Sequence, residues 1–183
     1  MKKSISVFLM LAILLTLCAC SKDNNSNKIP KESNIENTSA RIEKDELIYD
    51  STEAFEYSEV EDGIVITHFT NYDNVEYDKI YVPNEIDGKK VVGIGKLDAQ
   101  HRIMGAIYGH CEVILPDTVK YIANSAFNGA DGLVKISGGE NCTKIGEYAF
   151  MNCENLEEIT FLDNVSDLAD NAFVGCTKWN SNH

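Results

Sequence analysis

Basic residues are scarce. Lysine and arginine number 16 against 29 aspartates and glutamates, a formal net charge of −13. Residues 1–19 hold Lys2 and Lys3 and no acid, so removing them takes the charge from −13 to −15. A polyanion of this size repels nucleic acid, which excludes DNA and RNA as partners. It also repels an anionic membrane surface, so the protein is not expected to lie flat on one. Catalytic signatures are missing too. The chain has no Gly-rich phosphate loop, no G-x-S-x-G and no H-E-x-x-H. No C-x-x-C pair occurs, and the histidines do not sit at zinc-ligand spacing. The apolar run at 5–17 is too short to span a bilayer as a helix. No cofactor, no metal and no enzymatic activity are expected.

What the chain does have is a period. Ala-Phe occurs at 126–127, 149–150 and 172–173, each copy 23 residues after the last. The columns around it recur together. Val119, Ile122, Ala126, Phe127, Leu133 and Ile136 return as Cys142, Ile145, Ala149, Phe150, Leu156 and Ile159. They return again as Val165, Leu168, Ala172, Phe173 and Trp179. The positions between them vary and are mostly polar. A coil this short cannot bury its own apolar side, but stacked coils bury a shared core, one ladder per column. The period predicts an α/β-type repeat solenoid: a short leucine-rich-repeat stack with one strand per coil, at 133–137 and 156–161, and a β-rich N-terminal cap. Spacing leaves open whether the Ala-Phe segment is a helical turn or a looser bend. The pairs 128–129, 152–153 and 175–176 read as the turn that follows it.

The start of the chain carries a second signal. Lys2 and Lys3 precede the apolar run, and Leu17-Cys18-Ala19-Cys20 follows it. Residues 1–19 read as a secretory signal peptide. The ending resembles the lipobox of bacterial lipoproteins, which implies lipidation of Cys20 as the first mature residue. The alternative is an ordinary secreted protein cleaved near Ala19. Residues 20–45 then form a lipidated cysteine and a polar tether. Such a tether, treated as a flexible coil, spans roughly 28 Å on average.

Residues 46–90 read as the cap. Residues 55–69 form a hairpin with its turn at Asp62-Gly63, 78–83 form a strand stopped by Pro83, and Asp87-Gly88 turns a second hairpin. Residues 91–183 are the repeats. Val91 to Ile94 opens an irregular first coil whose Ala-Phe equivalent is Ile103-Met104, with about five residues inserted near 95–101.

The run from Tyr81 to Gly95 resembles the opening segment of the BspA-like leucine-rich repeat family. The segments 122–127, 145–156 and 168–176 resemble its repeat. The resemblance covers about residues 55–180. It implies a bacterial surface or secreted protein used in adhesion and contact with host or matrix, and it defines no catalytic or ligand residue.

Other candidates carry little chemistry. Cys153 and Cys176 share a column in adjacent coils; a disulfide is sterically open to them, while a ladder of small buried thiols is the simpler reading. His68 falls in a predicted strand. His101 and His110 flank the irregular coil near Cys111, with nothing in the spacing to make them converge. Asp73, Glu76 and Asp78 lie in a loop without calcium-site spacing. The expected function is that of a membrane-anchored, extracytoplasmic lipoprotein that binds protein without catalysis. Its partner is an unknown protein or an envelope or host ligand, and the lipid joins it to the membrane. The Lys/Ser signal and the Asn/Lys-rich tether point to a Gram-positive envelope. The alternative is a structural envelope protein that assembles with itself or another surface protein through an uncapped C-terminal coil with Trp179 open.

Overall fold

The computed structural model describes residues 40–43, 46–49, 51–70, 75–97, 102–104 and 107–182, with side chains between 51 and 179. All belong to one unit, Ile35–His183. Along the chain the strands are β1 (Ala40–Glu43), β2 (Glu46–Tyr49), β3 (Phe55–Val60), β4 (Gly63–Phe69), β5 (Lys79–Tyr81), β6 (Glu85–Ile86) and β7 (Lys89–Ile94). They continue with β8 (Cys111–Leu115), β9 (Tyr121–Ile122), β10 (Leu133–Gly138), β11 (Lys144–Ile145), β12 (Glu158–Ile159) and β13 (Asp167–Leu168). A 3-10 turn covers Leu162–Asn164, and helix α1 (Thr177–Asn182) follows the last coil.

Two sheets run along the stack. The first has the order β1-β2-β5-β8-β10-β12, the second β3-β4-β7-β9-β11-β13. From β2 and β4 onward every neighbouring pair is parallel. Each sheet ends at its N-terminal side in an antiparallel strand, β1 on β2 and β3 on β4. Each full coil thus supplies two short strands, not the single strand expected from the sequence. The second, at β9, β11 and β13, is two residues long. That is too short to show an alternation, so it left no strand signal in the sequence. Among the described residues the coils contain no α-helix, so the α/β-type description does not hold at the level of the coil. Strands β4 and β5, from the segment read as a cap, lie in the same parallel ladders as the later coils.

The Ala-Phe segment is a bend, and it forms a third ladder. Phe127 N–H donates to Ala149 O at 2.7 Å and Gly129 N–H to Met151 O at 2.7 Å; one coil on, Phe150 N–H donates to Ala172 O at 2.9 Å and Asn152 N–H to Val174 O at 2.8 Å. Gly129, Asn152 and Gly175, one repeat apart, have φ of 67°, 58° and 82°. Glycine and asparagine are the residues that enter this left-handed region most readily, which is why they recur in this column. The irregular first coil joins the same ladder, because Ile103 and Met104 both donate to Ala126 O, at 2.9 and 2.8 Å.

The hairpins follow local turn chemistry. Ile86 pairs with Lys89 across Asp87 and Gly88, whose φ values are 53° and 74°. Two positive values in a two-residue loop make the primed turn that suits strand twist. In the first hairpin Val60 pairs with Gly63, so the turn is Glu61-Asp62 and not Asp62-Gly63. Gly63 instead opens β4, where a Cβ would run into the Lys90 carbonyl.

The core is a set of columns. In the first sheet Ile80, Val113, Ile136 and Ile159 stand in register and are buried. In the second, Ile66, Ile94, Ile122 and Ile145 do the same. Val119, Ala126, Leu133, Cys142, Ala149, Leu156 and Ala172 are buried as well. Val165 and Phe173 are partly buried against the core. Leu168 departs from the expectation: it continues the Ile122–Ile145 row but is 42 % exposed. It sits on β13, the outermost strand of its sheet, and a ladder residue is covered only when it has a neighbour on both sides.

Aromatic rings fill the bend side. Phe127 and Phe150 stack at 5.2 Å and 17°, Phe150 and Phe173 at 5.3 Å and 6°. Trp179 lies on Phe173 at 4.5 Å and 10°, and is 6 % exposed. The open Trp179 expected from the sequence is therefore closed: α1 folds it onto the last phenylalanine. Removing the central ring leaves a cavity that two rigid neighbours cannot collapse into. Phe150→Ala is expected to cost about 3–5 kcal/mol, against about 1 kcal/mol or less for exposed Val174→Ala. Urea unfolding of the two variants measures this; equal midpoints for both would show that the ring stack is not part of the core.

Candidate binding face

The repeat places one row of charges on the outside of the first sheet. Lys79 on β5, Glu112 on β8, Lys135 on β10 and Glu158 on β12 are in register, each flanking a buried residue of its own strand. Alternation along the strand sends their side chains away from the core. The signs alternate along the row. Lys135 Nζ pairs with Glu158 Oε2 at 3.0 Å, and Ser137 Oγ donates to Glu112 Oε1 at 2.6 Å. These pairs are part-exposed, so each contributes on the order of 0.2–1 kcal/mol. Two residues further along the strands lies a second row, Tyr81, Ile114 and Ser137. Tyr81 is 38 % exposed. Comparison of the two regular coils alone, β10 with β12, shows no aromatic side chain on this face. Tyr81 enters it from β5, whose place in the ladder is a tertiary pairing that sequence spacing does not reveal.

The second sheet carries a comparable row of Gly93, Tyr121, Lys144 and Asp167. Lys144 pairs with Asp167, and Lys120 with Asp62 at 3.0 Å. The Tyr121 ring lies over Gly93, where any side chain would displace it.

The edges of the coils are tied by side-chain amides. Asn141 Nδ2 donates to Asp117 O at 2.9 Å and Asn164 Nδ2 to Glu140 O at 3.0 Å, two donors and two acceptors each one repeat apart. Asn155 Nδ2 donates to Asp131 O at 2.7 Å on another edge. These polar ladders were invisible in the apolar columns. A periodic search for Asn at 141 and 164 is the signal that finds them.

The four described cysteines are free and buried. Cys153 Sγ donates to Phe127 O at 3.0 Å and Cys176 Sγ to Phe150 O at 2.8 Å. Burial, with Asp78 and Glu112 nearby, pushes the Cys111 thiol from 9.0 up to about 12. Burial pushes Cys142 from 9.0 up to about 11. Hydrogen bonding to Cys176 and burial raise the Cys153 thiol above its ordinary value as well. Thiolates are the reactive form, so none of these three is poised as a nucleophile.

His68 and His110 are exposed while Cys111 is buried, and His101 lies outside the described residues. Glu76 and Asp78 are exposed, and Asp73 lies outside the described residues. Among the described residues no group of three or more His, Cys, Asp or Glu is placed to hold a metal ion. No helix in them is long and apolar enough to cross a membrane. Cys20 also lies outside the described residues.

Comparison with known proteins agrees with this geometry. Residues 109–183 match the BspA type leucine rich repeat region in six copies. No curated protein matches the sequence significantly. Two solved structures share the fold, each with a TM-score of 0.51. One is a leucine rich cell surface protein from Faecalibacterium prausnitzii A2-165, 24 % identical over 65 % of this chain and 32 % of its own. The present chain therefore spans about a third of that protein's length. The other is the leucine rich repeat protein of T. pallidum, 21 % identical over 70 % of this chain and 68 % of its own.

Cys111 and Cys142 set an alkaline limit. Their folded pKa values lie above the free value of 9.0, so the folded chain keeps protons that the unfolded chain gives up. The stability this contributes is complete below pH 9 and is lost as pH rises toward 11 and 12. The slope is at most on the order of 1.4 kcal/mol per pH unit for each thiol. Denaturant melts of the wild type and Cys111→Val between pH 8 and 11 should diverge, with the variant falling less steeply. Parallel curves would mean that Cys111 ionises in the fold as freely as in the open chain.

Proposed function

Since residues 109–183 match the BspA type leucine rich repeat region, we propose that this protein is a non-catalytic protein-binding module displayed on the outside of a bacterial cell. It is held there by acyl chains on Cys20 and lifted by the tether of residues 20–45. The supporting observation is the outer face of the first sheet. A regular ladder sets Tyr81 and Ile114 beside the charged row Lys79–Glu112–Lys135–Glu158 on a rigid frame. A frame of this kind presents side chains at fixed spacing and so fits recognition of a protein surface. The anchor rests on the sequence, in which Leu17-Cys18-Ala19-Cys20 follows a charged start and an apolar run. The ligand class is an adhesive one, an envelope or host protein, and a Gram-positive envelope suits the signal and tether composition.

The stacking of Trp179 on Phe173 favours this reading over assembly through an open last coil. A buried ring is not available as a docking anchor.

Two measurements test the proposal. Cells fed an alkyne fatty acid should label the wild type, and Cys20→Ala should lose the label and appear in the medium. Persistent label in the variant would remove Cys20 as the anchor. Separately, the tethered protein should retain intact cells or matrix proteins on a surface. Tyr81→Ala with Ile114→Asp should lower that retention at least tenfold, while Asp170→Ala, at an exposed position after β13 of the second sheet, leaves it unchanged. Equal retention by all three would place binding elsewhere.

A further inference from the structure

Cys153 and Cys176 are equivalent residues of successive coils, and the fold treats them alike. Their sulfurs donate to Phe127 O and Phe150 O, acceptors that are themselves one repeat apart. The two residues are thus displaced by one coil rise, roughly 4.7–4.9 Å, which lies inside the Cα separation a disulfide spans. No other described thiol shares the column. Cys111 is on β8 opposite Leu133, and Cys142 stands in the column of Val119 and Val165.

Both thiols are fully buried, so an oxidant reaches them only when a coil opens. The coil carrying Cys176 is the outermost described and the least covered. Leu168 is 42 % and Val174 47 % exposed, and Val165 and Phe173 are only partly buried. Local opening is expected to start there.

We propose that Cys153 and Cys176 form a latent cross-link, held as thiols in the closed stack and joined as one disulfide when the last coil opens to a disulfide oxidant. The inference does not depend on the binding reading. One protein thiolate attacks a sulfur of oxidised glutathione and expels a glutathione thiolate. The second protein thiolate attacks the protein sulfur of the mixed disulfide and expels the other glutathione. One S–S bond is broken and one formed. Two electrons pass from the protein to the oxidant, and the two protein protons end on the released glutathiones. The product bridges the last two described coils and removes conformations from the open chain.

The full chain carrying Cys18→Ser and Cys20→Ser isolates the four described thiols for the test. It is incubated with oxidised glutathione at pH 8.5 in mild urea. The expected product has lost the mass of two hydrogens, gives one proteolytic fragment joining residues 153 and 176, and melts on the order of 5 °C higher. Dithiothreitol reverses it. Cys142→Ser should behave the same way, whereas Cys153→Ser and Cys176→Ser should stop at a mixed disulfide with glutathione. A link through Cys111 or Cys142, a stable mixed disulfide in the parent chain, or no reaction while hydrogen exchange shows the last coil opening would each overturn the proposal.

Discussion

A coil of this stack leaves its apolar side bare until the next coil covers it, and the coverage works only if like residues fall above like. Parallel pairing enforces that condition. Once Ile136 faces Val113 and Ile159, and Ile145 faces Ile122 and Leu168, the repeat length has no freedom left. The Phe127–Phe150–Phe173 stack adds a second demand, since the rings are rigid and leave little tolerance for slippage. Burial of these columns supplies the driving force, while the backbone ladders decide where each residue can go.

Polar groups obey the same period. Asn141 and Asn164 reach back one coil to a main-chain carbonyl, as do the thiols of Cys153 and Cys176. Outside the sheets Lys135 meets Glu158 and Lys144 meets Asp167, both one repeat apart. A stack therefore carries its surface in rows, just as it carries its core in columns. That gives the candidate face its order: charges alternate along the row because neighbours in register stabilise one another when their signs differ. The same order limits the face chemically. Its charged groups are largely paired within the sheet, so any ligand must exchange partners and not merely add them.

The ends of the stack are treated differently. At the N-terminal side each sheet turns back on itself through an antiparallel strand, β1 or β3. β1 and β3 thereby become the outermost strands of their sheets. At the other side Trp179 closes the ring column, while Leu168 and Val174 remain exposed on the same coil. Protection there is uneven, which makes this coil the place for local opening.

The period of 23, the columns that fill the core and the family likeness were all determined by the sequence alone; that the Ala-Phe segment is a bend was not. The columns repeat, and repetition is visible without coordinates. The hairpin at Asp87-Gly88 was equally legible, because its turn chemistry is local. Tertiary structure decided the rest. The strands at β9, β11 and β13 are two residues long and exist only because neighbouring coils pair with them. Tyr81 joins the outer face because β5 pairs with β8, across an irregular coil that breaks the period. Leu168 is apolar by column and exposed by position, and Trp179 is closed by a helix that has no counterpart among the described residues of the preceding coils. A sequence records what each coil contributes; which neighbour covers it is settled only when the coils are stacked.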